Sequence, residues 1–178
     1  MAVMDSKNQL LNFKKKSLYM KPEERRGTLL VDEMKLTQAV VFNTKTLQVH
    51  GFTDLGKYTP LHQRNTKGDH ALVMMFQPFR GHWIQSLACF LSKGCASATV
   101  LHHLIIECII LLKKAGFSID VVTADGASWN REMWKRFNIC EENASCQHVY
   151  DPSRQLWFSS DFQLKTLGTS LFGDLKLG

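Results

Sequence analysis

The sequence predicts an α/β fold, a mixed sheet with helices packed against it, and three observations predict it. Apolar runs of strand length, separated by turn-forming residues, occupy much of the chain before residue 97. The segment "SATVLHHLIIECIILLKKAG" then repeats apolar residues at helical spacing. After it come a strand, a second helix and a last strand, so helices join successive strands. A helix joining two strands of one sheet implies a parallel, right-handed crossover, and helix-on-sheet layers bury the apolar side of both. With 178 residues, 44% hydrophobic and 21% charged, the chain suits one ordinary domain with a proper core.

Residues 1–27 hold Lys14, Lys15, Lys16 and the run "KPEERRG", and read as a basic, flexible or loosely helical lead-in. "TLLVDEM", Thr28–Met34, is a nearly continuous apolar strand, the pattern of burial on both faces. "AVVFNTKTLQVHGF" predicts two strands around a turn at Asn43–Thr46, and the polar "KYTPLHQRNTKGD" a loop. "HALVMMFQPFRGHWIQSLACFLS" gives two further runs parted by Pro78 and Gly81, an antiparallel pair. In the long helix Val100, Leu101, Leu104, Ile105, Cys108, Leu111 and Leu112 form the stripe. Ser97 can cap its start, and Lys113, Lys114 and Gly116 suit its end. "FSIDVVTAD" is the next strand; Ser128–Asn138 is a helix with Trp129, Met133, Trp134 and Phe137 on one face; "RQLWFSSDF" is the last strand. Trp129 and Trp134 read as core rather than as base-stacking platforms.

The formal net charge is +6, which favours anionic partners such as nucleic acid. Five cysteines form no disulfide-like framework and the N-terminus lacks a signal-peptide core, pointing to a reducing intracellular compartment. "VLHHLIIECIILL" is interrupted by His102, His103 and Glu107, too short and polar for a bilayer that needs about 20 apolar residues. A soluble protein with no membrane partner is expected.

Asp32 lies near the end of the first strand, and Asp125 ends the strand after the long helix. If those strands are parallel neighbours, both carboxylates emerge at the sheet edge where open α/β sheets place ligands. Two charges about 4 Å apart repel by roughly 4 kcal/mol at an effective dielectric of 20. A proton or a cation between them removes that cost, and oxygen ligands suit Mg²⁺ or Mn²⁺. Gly126 lets backbone approach closely there, and a helix starting near Ser128 points its positive end at the site. The plainer reading of Asp-Gly at a strand end is a turn. Glu33 alternates to the other face and is a lesser candidate. Cys140, Cys146 and His148 lack regular zinc spacing; His102 and His103, adjacent on a helix, point in different directions; no Gly-Lys-Ser/Thr phosphate loop occurs.

"LLVDEMKL", "GFTDLG", "DHALVMMFQPFRGHWIQSLACFLSKG", "TADGASWNREMW" and "LWFSSDF" occur in the order they take in the P element transposase family. The chain resembles that family over roughly Thr28 to Phe162. The resemblance implies a ribonuclease H-like domain, here incomplete, spanning residues 28–162, followed by a divergent tail at 163–178. It implies two-metal cleavage and joining of DNA, with Asp32 and Asp125 matching the first two of three acids and binding Mg²⁺ or Mn²⁺. The family's third acid is a glutamate beyond a nucleotide-binding insertion, and no glutamate follows Glu142 here. Little strand transfer by these residues alone is therefore expected, and the family's GTP is not expected to bind. Asp161 matches the family's "SD" position without a role assigned to it. Transposon-end DNA, homo-oligomerisation of a longer form and a nuclear location are implied by resemblance only, the cytoplasm being the alternative. A non-catalytic DNA-binding or interaction module is the second reading, and an inert relic of a decayed element the third.

Overall fold

The strand read from "TLLVDEM" forms the middle of the protein: β1 runs Arg26–Lys35. The computed structural model describes residues 7–45 and 48–160. In chain order the elements are α1 (Lys7–Leu18), β1, β2 (Val41–Asn43), β3 (Gln48–His50), β4 (His70–Pro78), β5 (Gln85–Ser92), α2 (Ala98–Lys114), β6 (Ser118–Ala124), α3 (Ser128–Arg136), β7 (Ser145–Gln147) and β8 (Gln155–Ser160). Six strands form one sheet in the order β5-β4-β1-β6-β8-β7, and β2 pairs with β3 as a separate ribbon. β4 is antiparallel to both β1 and β5, whereas β1, β6 and β8 run parallel. This is the α/β mixed sheet that the order of elements predicts. Among the described residues no helix is long and apolar enough to cross a membrane.

The crossovers β5–α2–β6 and β6–α3–β8 advance across the sheet in one direction, so a common hand puts both helices on one face. They touch there, over a core that includes Leu29, Val31, Met74, Phe76, Ile105, Cys108, Val122, Met133 and Phe158. Ser97 caps α2 by accepting from the Val100 amide at 3.3 Å. At its other end Gly116 adopts φ 90°, the Gly116 amide reaches Lys113 O at 3.0 Å and the Phe117 amide reaches Leu112 O at 2.9 Å. That is a Schellman ending, which the left-handed glycine permits. Burial pushes the Cys108 thiol up to about 12, so it packs as an apolar group.

Within the stretch read as a lead-in, Lys7–Leu18 is instead a helix docked on this core. Phe13 is 7% exposed, its ring 5.4 Å from that of Phe117, and the Lys16 ammonium sits 3.3 Å from the Trp83 ring centroid. β7 is a short edge strand antiparallel to β8 that the pattern reading passes over. Residues 163–178 lie outside the described residues.

One hub ties the loops around the end of β1. Asp69, before β4, accepts from Lys93 Nζ at 2.6 Å, Gly94 N at 2.7 Å, His70 Nδ1 at 2.8 Å and Gln38 Nε2 at 3.2 Å. Lys93 foremost, then His70 and the Gly94 amide, hold its carboxyl well below the usual range. A depressed acid contributes stability above its unfolded value of about 3.9, lost as pH falls toward the folded value. Asp69→Asn is therefore expected to lower the melting temperature at pH 7, by a margin that shrinks on acidification below about pH 4. A margin unchanged between pH 7 and pH 2.5 in calorimetric melts would show that the charge contributes nothing.

Candidate functional site

The β1–β6 register decides where the two aspartates stand. Val31 pairs with Ala124 in parallel, so Asp32 and Asp125 are the next residues of adjacent strands, which lie about 4.8 Å apart. Val31 and Ala124 face the helices and the core; alternation turns Asp32 to the other face, shared with Thr28 and Leu30. Thr28 Oγ1 lies 3.2 Å from Thr123 Oγ1 on that face, and no described helix covers it. β6 ends at Ala124 while β1 continues against β4, where Asp32 pairs with Val73. The carboxylates thus emerge at the edge made by the C-terminal ends of the parallel strands.

Their settings differ. Asp32 is exposed, and its Oδ1 accepts from the next amide, Glu33 N, at 2.9 Å. Asp125 is half-buried, and its Oδ1 accepts from both the Ala127 amide, at 3.2 Å, and the Asn130 side-chain amide. One oxygen of Asp125 is thereby saturated. Among the described residues a Cβ at Gly126 would meet nothing within 4 Å.

Glu33 turns the other way, as alternation requires. Its Oε1 accepts from Ala96 N at 2.9 Å, just ahead of α2, and burial raises its pKa against the lowering effect of that amide. Among the described residues its Oε2 is buried with no hydrogen-bond partner. Cys95 stands near Glu33 and Asp125: burial raises its thiol first, and the two negative charges add to the rise.

The remaining candidates are dispersed. His102 packs on Phe137, ring centroids 4.4 Å apart, and burial lowers its pKa. His103 stacks on Tyr58 at 5.3 Å. His148 is 3% exposed, with Nε2 2.8 Å from Ile119 O and Nδ1 accepting from the Tyr150 and Asp151 amides. Both its ring nitrogens are committed to backbone, which leaves neither for zinc. Trp129 and Trp134 pack against the core. Asp161 lies outside the described residues. Among the described residues no three His, Cys, Asp or Glu side chains converge as a metal cluster. The donor set at the edge is two adjacent carboxylates, one with an oxygen already occupied. It fits a hard cation that keeps waters or substrate oxygens in its other positions, the habit of Mg²⁺.

Comparison with known proteins agrees with this architecture. A family model described as TNP-like, RNase H N-terminal domain, matches residues 6–138. Among solved structures the chain is similar to the Drosophila P element transposase strand transfer complex, with a TM-score of 0.61 and 16% identity. That match covers 88% of this chain and 35% of the other, so the chain spans about a third of its counterpart's length. No curated protein matches it.

Proposed function

Because the chain belongs to the family of TNP-like ribonuclease H N-terminal domains, we propose that it is the first part of the catalytic core of a P element-like DNA transposase, with Asp32 and Asp125 as two of its metal-holding acids. The observation that carries this is the Val31–Ala124 pairing, which puts each aspartate one residue past a paired position of two adjacent parallel strands. A divalent cation bound there supplies charge neutralisation at a phosphodiester and activation of the attacking oxygen. The residues themselves do the positioning. β1 and β6 fix the carboxylate backbones, and the Ala127 and Asn130 donors fix the rotation of Asp125. α3 starts three residues beyond Asp125, and the positive end of a helix favours a phosphate. The net charge of +6 suits DNA as the partner, and a DNA substrate in turn suits the nucleus.

Positioning and charge stabilisation account for nearly all catalysis of phosphoryl transfer. No group of three or more His, Cys, Asp or Glu side chains suited to a metal occurs among the described residues, so cation binding without efficient strand transfer is the expected behaviour of the 178 residues. Titrating the chain calorimetrically with Mn²⁺ tests the site. Asp32→Asn and Asp125→Asn are each expected to weaken binding by roughly tenfold or more, since loss even of an outer partner costs 10–100-fold. Affinity unchanged in both variants would remove the metal reading.

A further inference from the structure

α3 breaks its own pattern at one position. Its buried residues are Asn130 and Met133, and Phe137, 6% exposed, caps the same side one turn on. Positions 130, 133 and 137 lie on one helical stripe, where burial calls for an apolar side chain. Asn130 is only 4% exposed, and asparagine is a poor residue for a helix. A local rule broken at a buried position points to a function compensating for it.

Its compensation is on the page. The Asn130 Nδ2 group donates to Asp125 Oδ1, across the turn from β6 into α3. The Ala127 amide already closes that turn on the same oxygen, at 3.2 Å, so the turn does not require the asparagine. What Asn130 adds is a second direction of pull on one carboxylate oxygen. Two donors from different directions fix the rotation of the carboxyl group and commit Oδ1, which leaves Oδ2 as the coordinating atom. We infer that Asn130 is a positioning residue that presents Asp125 to a hard divalent cation.

This rests on the metal reading of Asp32 and Asp125, and the experiment separates the two. Mn²⁺ is titrated into the wild-type chain, Asn130→Ala and Asn130→Leu, with thermal melts in chelator run alongside. The leucine variant restores the apolar stripe, so it keeps the fold if Asn130 serves the site and not the packing. Both variants are expected to bind Mn²⁺ about 10–100-fold more weakly, the usual cost of losing an outer-shell partner. Wild-type affinity in either folded variant overturns the inference. A metal-free arm follows the Asn130 side-chain amide by NMR in chelated protein. Asp125→Ala is expected to shift that resonance, and an unshifted signal overturns the inference whatever the metal does. A shifted signal in a chain that binds no Mn²⁺ removes the metal reading and, with it, the assignment of Asn130 to a cation site.

Discussion

Phe117→Ala is expected to cost about 4 kcal/mol of stability, near the middle of the 3–5 kcal/mol typical of buried Phe→Ala changes. Phe117 is 1% exposed and joins three separate parts of the chain. Its ring lies 5.2 Å from that of Phe76 on β4, 5.4 Å from Phe13 on α1 and 6.3 Å from Trp83 before β5, all edge-on. Edge-to-face aromatic pairs add roughly 0.5–1.5 kcal/mol each beyond the burial of area. The backbone around it is held by the Schellman ending of α2 and cannot swing to close the gap. Gly116 is pressed against Ser17 of α1, whose Oγ would lie 2.8 Å from an added Cβ. The cavity should therefore persist. For a chain of this size the loss corresponds to a fall of roughly 8–16 °C in melting temperature. Phe117→Leu, which leaves a smaller void, should lose markedly less. A cost for Phe117→Ala below about 1.5 kcal/mol in urea titrations would mean that α1 is not part of the cooperative unit.

That helix shows where the sequence is hard to read. β1, β4, β5, α2 and β6 are legible because each carries a long apolar pattern of a single period. Among the described residues α1 buries one apolar side chain deeply, Phe13, along with the small polar Ser17, and Phe13 is followed at once by Lys14, Lys15 and Lys16. A single aromatic in a lysine-rich stretch has no period to detect, and its partner Phe117 lies more than a hundred residues away. β7 is only three residues at a sheet edge, below the length at which alternation says anything.

The sequence leaves the juxtaposition of Asp32 and Asp125 conditional on β1 and β6 being parallel neighbours: a helical crossover speaks only for β5 and β6, and β1 runs parallel to them because β4 is antiparallel to both β1 and β5. What the rule omits is how a carboxylate is held. Asn130 gives no signal in an apolar stripe, because the informative residue is the polar one among Trp129, Met133, Trp134 and Phe137. Glu33 shows the converse. Its face followed from alternation, but its anchor, the Ala96 amide, exists only once α2 is docked. Asp120 carries a usable signal, the one charge in the mostly apolar run "SIDVVTA", which demands a partner where the run is buried.

Asp120 also carries the other large expected effect, because removing it strands two guanidinium groups. Its side chain is 6% exposed; Arg26 Nε lies 2.8 Å from Oδ2, and Arg154 meets Oδ1. Arg154 also donates to Ser118 Oγ at 2.8 Å. This single carboxylate joins the start of β1, β6 and the turn before β8. Burial, then the nearby charge of Arg26, already lowers the pKa of Arg154. Without Asp120 the two like charges face each other over a desolvated gap. Breaking a buried pair from one side costs about 3–5 kcal/mol. Arg26 and Arg154 are 40% and 27% exposed and can turn partly to water, so Asp120→Leu is expected near the low end, about 3 kcal/mol. Adding Arg154→Met should recover part of that loss, because apolar replacement of a whole ion pair is often neutral. A coupling energy of about 1 kcal/mol or more in the double-mutant cycle is the expected signature. Strict additivity would show that the carboxylate holds the strands through backbone packing alone, and that the charges at this end of the sheet are incidental to the fold.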